Sequence, residues 1–473
     1  MDATSRKNLT LATMSIATFL AILDTTAVNL ALHAIQHGLK VGVSTLQWVL
    51  DAYNLTYASF ILTGGVFGDL FGRRRVFVLG ISLFMLASLL CALAPNPAIL
   101  IAGRALAGLG SALQLPGALA ILAMTFEEGP ARSKAIAIWG GFNGLAMGIG
   151  PTVGGFLVDQ LGWRSIFYLA LPIGLGILAL AVAVPESSNP EGRKVDLPGQ
   201  GLSVVALGLL AFACIEAPTV GWSSPLILGA LVLSLGSLVA FILVERTKSE
   251  ALLPLGYFHH RMFSTAVGIA ALMTFGFYAL LLVFPLYLQS VRGQSAVVAG
   301  LSLLPMSLTF FALSSLAGRP QQVLSPSGLV SAGMALMSAG LFTLSTVRAD
   351  SSYAVIFLGL LGMGIGTALV FGPIMTVAVS SLPSARSGTS SGMVNVGRMV
   401  GATLGVAIPG SIFGGHVLRA GRSTASFLNG MHLALFVGAF AELSGAILAL
   451  VFLAEEPGST HLVRRLRNAL GRT

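Results

Sequence analysis

Apolar residues run through this chain in long blocks separated by short polar stretches, without the rapid alternation that builds soluble strands. Crossing a hydrocarbon core of roughly 30 Å takes about 20 mostly apolar helical residues. Blocks of that kind fall at residues 11–32, 46–68, 76–94, 98–124, 133–158 and 164–184. A polar stretch, Pro185 to Val195, follows, and blocks at 197–217 and 225–244 then lead into a second charged stretch, Glu245 to Arg261. Further blocks lie at 264–288, 296–317, 327–347, 353–379, 388–414 and 430–453. The pattern predicts an all-α membrane protein of fourteen transmembrane helices. They are arranged as an N-terminal six-helix half over 1–184, a linker with two extra helices over 185–261, a C-terminal six-helix half over 262–454 and a basic tail over 455–473.

Composition supports the same class. The chain of 473 residues is 55% hydrophobic and 9% charged, with a mean hydropathy of +0.89, more apolar surface than a soluble fold can hide. Its 57 glycines and 20 prolines suit helices that approach closely in lipid, where neighbours re-satisfy broken backbone bonds. The net charge of +9 comes from basic residues in short loops, with no basic face or recognition element, so nucleic acid is not an expected partner. Cys91 and Cys214 lie within apolar blocks and support neither a disulfide framework nor a metal site. The first block is too long for a secretory signal, contains Asp24 and lacks a cleavage site, so it reads as an uncleaved helix.

Lysine and arginine accumulate in cytoplasmic loops. With the N-terminus inside, 18 of them fall in inner segments, 6 in outer ones, and Arg104 and Arg398 lie within blocks. That bias predicts an even number of spans in a cytoplasmic membrane, with both termini cytoplasmic. The run His461 to Arg472 is either a solvated tail or a surface helix on anionic lipid.

Ionisable groups inside spans are costly and mark function by default. Asp24 lies about 13 residues into an outward-running helix, and Arg104 about 6 residues into an inward-running one. At 1.5 Å per residue their depths coincide, roughly 20 Å from the inner surface. They are therefore candidates for a buried ion pair, or for a site where a proton and a cationic substrate compete. Arg398 and Glu442 match in depth on consecutive helices and are expected to neutralise each other. Asp51 and Glu216, close to outer helix ends, either line a vestibule or are simply solvated.

Adaptable apolar walls suit bulky ligands. Candidates are Phe275, Phe277, Tyr278, Phe284 and Tyr287 on one helix and Met363, Phe371 and Met375 on another, although most such residues in any bundle pack or face lipid. Gln114 and Asn143 are expected to face a cavity or another helix, because unpaired amides are costly in lipid. No H-E-x-x-H or P-loop pattern occurs, so an enzyme is not expected. Gly362-Met-Gly364-Ile-Gly366 lies in an apolar helix without a preceding strand and reads as helix packing.

Gly65-Val-Phe-Gly68-Asp69-Leu-Phe-Gly72-Arg73-Arg74-Arg75, between the second and third blocks, resembles the cytoplasmic loop signature of the major facilitator superfamily. Leu70 stands where the common pattern often has Arg. The resemblance implies that this loop, with Gly65, Gly68, Asp69, Gly72, Arg73 and Arg74, gates the inner end, and that Asp69 latches it when the transporter faces out. Gly150-Pro151-Thr-Val-Gly154-Gly155 is similar to the antiporter motif of the superfamily, with Ala146 where another glycine often appears.

Leu23-Asp24-Thr25-Thr26-Ala-Val-Asn29-Leu-Ala-Leu, Trp48-Val-Leu-Asp51-Ala-Tyr53, Arg104-Ala-Leu-Ala-Gly108 and Trp163-Arg164-Ser-Ile-Phe167 resemble the fourteen-helix drug:proton antiporter group. His33 departs from the proline usual after the first of these motifs. The resemblance implies the major facilitator fold with the seventh and eighth helices as an extra central pair and the first, fourth, ninth and twelfth lining a cavity. It implies proton coupling at Asp24 and Arg104. Asn29, Tyr53, Gln114, Asn143, Phe275, Tyr278, Met363 and Met375 are the substrate-cavity candidates. The expected activity is export of small amphipathic drugs, antibiotics or metabolites, powered by the proton gradient without a cofactor, in contact with lipid and without an obligate protein partner. Acids that recognise dications in late helices of relatives are lacking in the ninth, tenth, twelfth and thirteenth blocks, so broad dication export is not expected. Lipid or natural-product export stays open. Proton-coupled uptake is disfavoured by the Gly-Pro motif.

Overall fold

A computed structural model describes residues 2–189, 195–248, 253–316, 325–382, 387–419 and 423–453. The expected basic tail and the polar stretch at 190–194 lie outside the described residues. The elements are α1 (Ala3–Leu39), α2 (Val43–Phe71), α3 (Arg73–Ala92), α4 (Pro97–Thr125), α5 (Pro130–Leu161), α6 (Arg164–Ala181), α7 (Leu197–Val220) and α8 (Pro225–Thr247). A short turn of 3₁₀-helix, Leu255–His259, precedes α9 (Arg261–Ser290), α10 (Ala296–Ser302), α11 (Leu304–Leu316), α12 (Pro326–Leu344), α13 (Tyr353–Ser380), α14 (Ser387–Arg419) and α15 (Thr424–Phe452).

Local chemistry sets the helix ends. Asn96, Ser224 and Ser325 cap α4, α8 and α12 by accepting from backbone N–H groups of the first turn, each followed by proline in that turn, where its missing donor costs nothing. Gly72, Gly162 and Gly221 stop α2, α5 and α7 with φ of 102°, 79° and 99°, a conformation open to a residue without Cβ.

Twelve of these helices are long and apolar enough to cross a membrane. The pair α10 and α11, bent by 43°, makes a thirteenth span if taken together. The bend falls just before Pro305, whose ring excludes the hydrogen bond that would continue the helix. The expected block at 46–68 corresponds to α2, which is 29 residues long but is not among those helices, since Gln47, Asp51 and Asn54 dilute its apolar character. The protein is a multi-pass helical membrane protein.

The helices gather into two groups. In the first, α2 and α3 pack on α4, and α1 on α5 and α6; in the second, α12 packs on α13 and α15, and α9 on α14 and α15. The groups meet where α5 faces α10 and α11, where α2 faces α14, and where α1 faces α9. Helix α7 wedges against both α2 and α14, and α8 packs on α7 with Val232, Leu233, Leu235, Val239 and Leu243 turned outward.

Candidate functional site

The two ends of the bundle differ. At the end holding the α1–α2, α5–α6 and α9–α10 connections, the groups are stitched together by hydrogen bonds. The Asp159 carboxylate accepts from the backbone N–H groups of Ala296 and Val297 at 3.0 and 2.9 Å, capping α10 across the seam. Gln47 Nε2 donates to the carbonyls of Val406 and Ala407, both at 3.1 Å, and Gln289 Nε2 to Leu30 at 3.2 Å. His33 Nδ1 lies 2.9 Å from Ser290 Oγ, so the residue that departs from the family's proline bridges α1 to α9, and α1 runs on to Leu39.

The Gly-Pro motif of α5 sits in this seam. A Cβ on Gly150 or Gly154 would strike Thr26 or Ala27 of α1, and one on Gly155 would strike the backbone of Ala296. Gly300 of α10 lies in turn against the Pro151 carbonyl. Small residues on α5 thus permit backbone contact with both groups at once.

At the other end the groups part around a cavity of about 2570 Å³. Its mouth carries Asp69, Arg73, Arg132, Lys134, Asp196, Glu245 and Lys248; its inner wall carries Thr25, Tyr53, Tyr57, Asn143, Phe277, Tyr278, Phe371, Met375 and Arg398. The walls come from α2, α5 and α14 as well as from the expected α1, α4, α9 and α13. Rings stack edge to face on the α11–α13 side, where Phe310 and Phe371 have centroids 5.8 Å apart.

Behind Tyr53, out of the cavity lining, Arg104 Nη1 donates to Asp24 Oδ2 at 2.5 Å. Both residues are almost fully buried, at 1% and 5% exposure. Arg104 Nε also donates to the Val49 carbonyl at 3.1 Å, and its guanidinium lies 4.6 Å from the centre of the Tyr53 ring. The Tyr53 hydroxyl is fixed by Ser111 at 2.7 Å. Gly108 brings α4 against the backbone of Tyr53, and this close approach places the guanidinium under the ring.

The loop signature forms a tight unit at the mouth. Arg73 donates to Asp69 through Nε and Nη2 at 3.1 and 2.8 Å. The Asn189 N–H donates to the Asp69 carbonyl at 2.9 Å and the Arg74 N–H to Glu186 at 3.1 Å. Gly72 lies close to the Glu186 carboxylate, while Gly65 and Gly68 line the mouth. Beside it, Asp196 caps α7 by accepting from Gly199 at 2.8 Å and pairs with Lys248. Burial opposes its charged form, but the hydrogen bonds from Lys248 and Gly199 outweigh that and hold the carboxyl below the usual carboxylate range.

Of the residues expected at the cavity, Tyr53, Asn143, Tyr278 and Met375 line it. The other four do not. Asn29 donates to Thr25 of its own helix at 2.8 Å. Gln114 lies on the face of α4 that meets Gly80 of α3, Phe275 backs onto Gly405 of α14, and Met363 packs on Gly340 of α12.

The expected neutralisation of Arg398 by Glu442 does not occur. Arg398 reaches the cavity, with Nη1 donating to Asn395 Oδ1 at 3.3 Å and its guanidinium 4.0 Å above the Phe371 ring. Glu442 is fully buried against Gly276 of α9, and neither carboxyl oxygen has a hydrogen-bond partner. Equal depth fixed their heights but not the directions in which their helices present them. Asp51 is likewise fully buried with both oxygens unpartnered, so it is not solvated. Glu216 accepts from Trp48 Nε1 at 2.8 Å, tying α7 to α2.

A family model described as Major Facilitator Superfamily matches residues 14–406. The chain belongs to the major facilitator superfamily. It is thus a membrane transporter and not an enzyme, as the loop signature implied. Within this superfamily it is 38% identical over 405 residues, 85% of this chain and 75% of the relative, to the multidrug resistance protein Stp of Mycobacterium tuberculosis. It is 32% identical to the methylenomycin A resistance protein of Bacillus subtilis, covering 94% of each chain. It is also 32% identical to the tetracenomycin C resistance and export protein of Streptomyces glaucescens, covering 86% of this chain and 76% of that one. The fold matches that of a bacterial homologue of the lysosomal transporter Spinster with a TM-score of 0.69 at 16% identity, over 96% of this chain and 99% of that one.

Proposed function

We propose that the protein exports amphipathic drugs, antibiotics or metabolites across the cytoplasmic membrane in exchange for protons. The observation that carries this reading is the Asp24–Arg104 pair, sealed behind Tyr53 at the inner end of a cavity open at one end only. Relatives named for antibiotic resistance and export, alike over most of the chain, supply the substrate class and the direction.

The excess of Lys and Arg on the side of the mouth makes that side cytoplasmic and puts both termini there. Helix α2 counts as a span in this reading, because it lies in the interior packed on α4 and α14. With α10 and α11 as one broken span, the total becomes fourteen: two six-helix halves over 1–184 and 262–454, joined by a linker over 185–261 that carries α7 and α8.

The described state then faces inward, with Asp24 ionised and held by Arg104. Substrate enters from the cytoplasm or inner leaflet and contacts Tyr53, Asn143, Tyr278 and Met375. When the α5 seam opens and the mouth closes, with the Asp69 loop latching the inner end, outside water reaches Asp24. Protonation there breaks the pair, and the proton is carried inward as the cycle returns. Alternating access of this kind needs two groups that rock around a central site, and the small residues of α5 supply a seam that can part.

Everted vesicles under an imposed pH gradient provide the test. Wild type is expected to accumulate a substrate drug only while the gradient is held, and Asp24→Asn to show no gradient dependence. Gradient-independent accumulation by wild type overturns antiport, and full proton dependence in Asp24→Asn overturns the role of Asp24.

A further inference from the structure

We infer that the cavity selects amphipathic molecules carrying an ionised acid group, bound at Arg398 against the aromatic wall, over organic cations of the same size. The inference rests on the proposed reading of the cavity as the path of transport.

Arg398 is fixed from its own backbone outward. Thr274 Oγ1 donates to its carbonyl at 2.6 Å, and Gly397 and Gly401 bring α14 onto α9 at Val267 and Ala271. The guanidinium therefore projects into the inner cavity from a rigid support. One face of it is taken by Phe371 and Nη1 by Asn395, while Nε has no hydrogen-bond partner. Tyr57 and Tyr278 line the same wall.

The balance of charge around it is one-sided. Among the described residues, the carboxylates lining the cavity are Asp69, Asp196 and Glu245. All three lie at the mouth, beside basic residues. In the inner part Arg398 is the sole formal charge among the described lining residues. Asp24 is behind Tyr53 and engaged by Arg104, and Glu442 is turned toward Gly276.

An entering carboxylate or phenolate meets a planar, charged donor group at the cavity wall, the geometry that favours charge-assisted bonds. An entering cation meets like charge in a medium that screens poorly. It also finds the Phe371 ring, the natural seat of a cation, already covered by Arg398. The apolar body of either molecule has the same aromatic surface to lie on, so the charged group decides.

The test is equilibrium binding of three probes of one shape, naphthylacetate, naphthylacetamide and naphthylethylammonium, to the purified full chain in lipid nanodiscs. Wild type is expected to bind the acetate at least about tenfold more tightly than the ammonium, the difference a single charge-assisted contact supplies. Arg398→Gln is expected to reduce the acetate-to-acetamide affinity ratio about tenfold, and Arg398→Lys, which keeps the charge without the fork, to retain part of it. Thermal unfolding of each variant establishes that it is folded.

Equal or tighter binding of the ammonium by wild type overturns the inference. So does an acetate-to-acetamide ratio that Arg398→Gln leaves in place, or the failure of all three probes to bind. Binding with the expected charge preference, but no movement of any probe in vesicles under a pH gradient, overturns the antiport reading and leaves the acid-binding site standing.

Discussion

Arg104 and Arg398 lie deep within the membrane-spanning helices α4 and α14, and they live in opposite surroundings. Arg104 is enclosed at 1% exposure, with a carboxylate, a carbonyl and a ring satisfying its guanidinium. Arg398 stands at the cavity wall with an amide and a ring, and among the described residues no carboxylate is paired with it. A buried charge is held in lipid either by an internal counter-ion or by access to water, and these two residues take one route each. The first suits a switch whose state depends on a proton. The second suits a docking point whose counter-ion is the cargo.

The largest effect that separates them is expected at Asp24. Asp24→Asn leaves Arg104 buried without its counter-ion and should cost about 3–5 kcal/mol of stability, read as a lowered melting temperature in detergent, together with loss of proton-driven transport. Asp24→Asn with Arg104→Gln should recover most of the stability but none of the transport. If the double variant also transports, the pair is structural only. Next in size, Arg104→Lys keeps the charge but loses the fork that spans Asp24 and Val49; transport measured in vesicles should fall about tenfold, and an unaltered rate would show that the geometry around Arg104 is unimportant.

A smaller effect is expected on the other side of the comparison. Phe371→Ala removes a cation–π contact of roughly 0.5–2 kcal/mol, loosening Arg398 and weakening substrate affinity by a few-fold to tenfold. An affinity unaffected by the change would mean that the ring does not orient the guanidinium. The smallest effect belongs to Glu442. Because it does not pair with Arg398, Glu442→Gln should leave transport within about twofold of wild type, as expected for a site with no shared partner. A tenfold loss would restore the pairing that equal depth suggested.

The contrast between the arginines also marks how far the sequence could be read. Block length gave the helices, and the Gly-rich loop and Gly-Pro motif implied the family, since these are local patterns tied to backbone conformation and close packing. Depth counting brought Asp24 and Arg104 to one level, and the structure joins them because α1 and α4 also face each other there. The same counting failed for Arg398 and Glu442, since rise along a helix carries no information about rotation around it.

Gln114, Phe275 and Met363, singled out by side-chain type, and Asn29, part of a motif that resembles the family's, lie outside the cavity lining for the same reason. Asp159, which staples α5 to α10, was not legible at all. An acid near a helix end has the same local sequence whether it is solvated or caps a helix of the other group.

The most direct test of the account is whether substrate binding and proton release are one exchange at Asp24. Purified wild-type protein, first protonated by equilibration at low pH in weakly buffered detergent solution, should release protons when a substrate drug is added, with binding weaker at low pH than at neutral pH. Asp24→Asn should bind the drug without proton release and without that pH dependence. Proton release by Asp24→Asn equal to that of wild type would contradict the account.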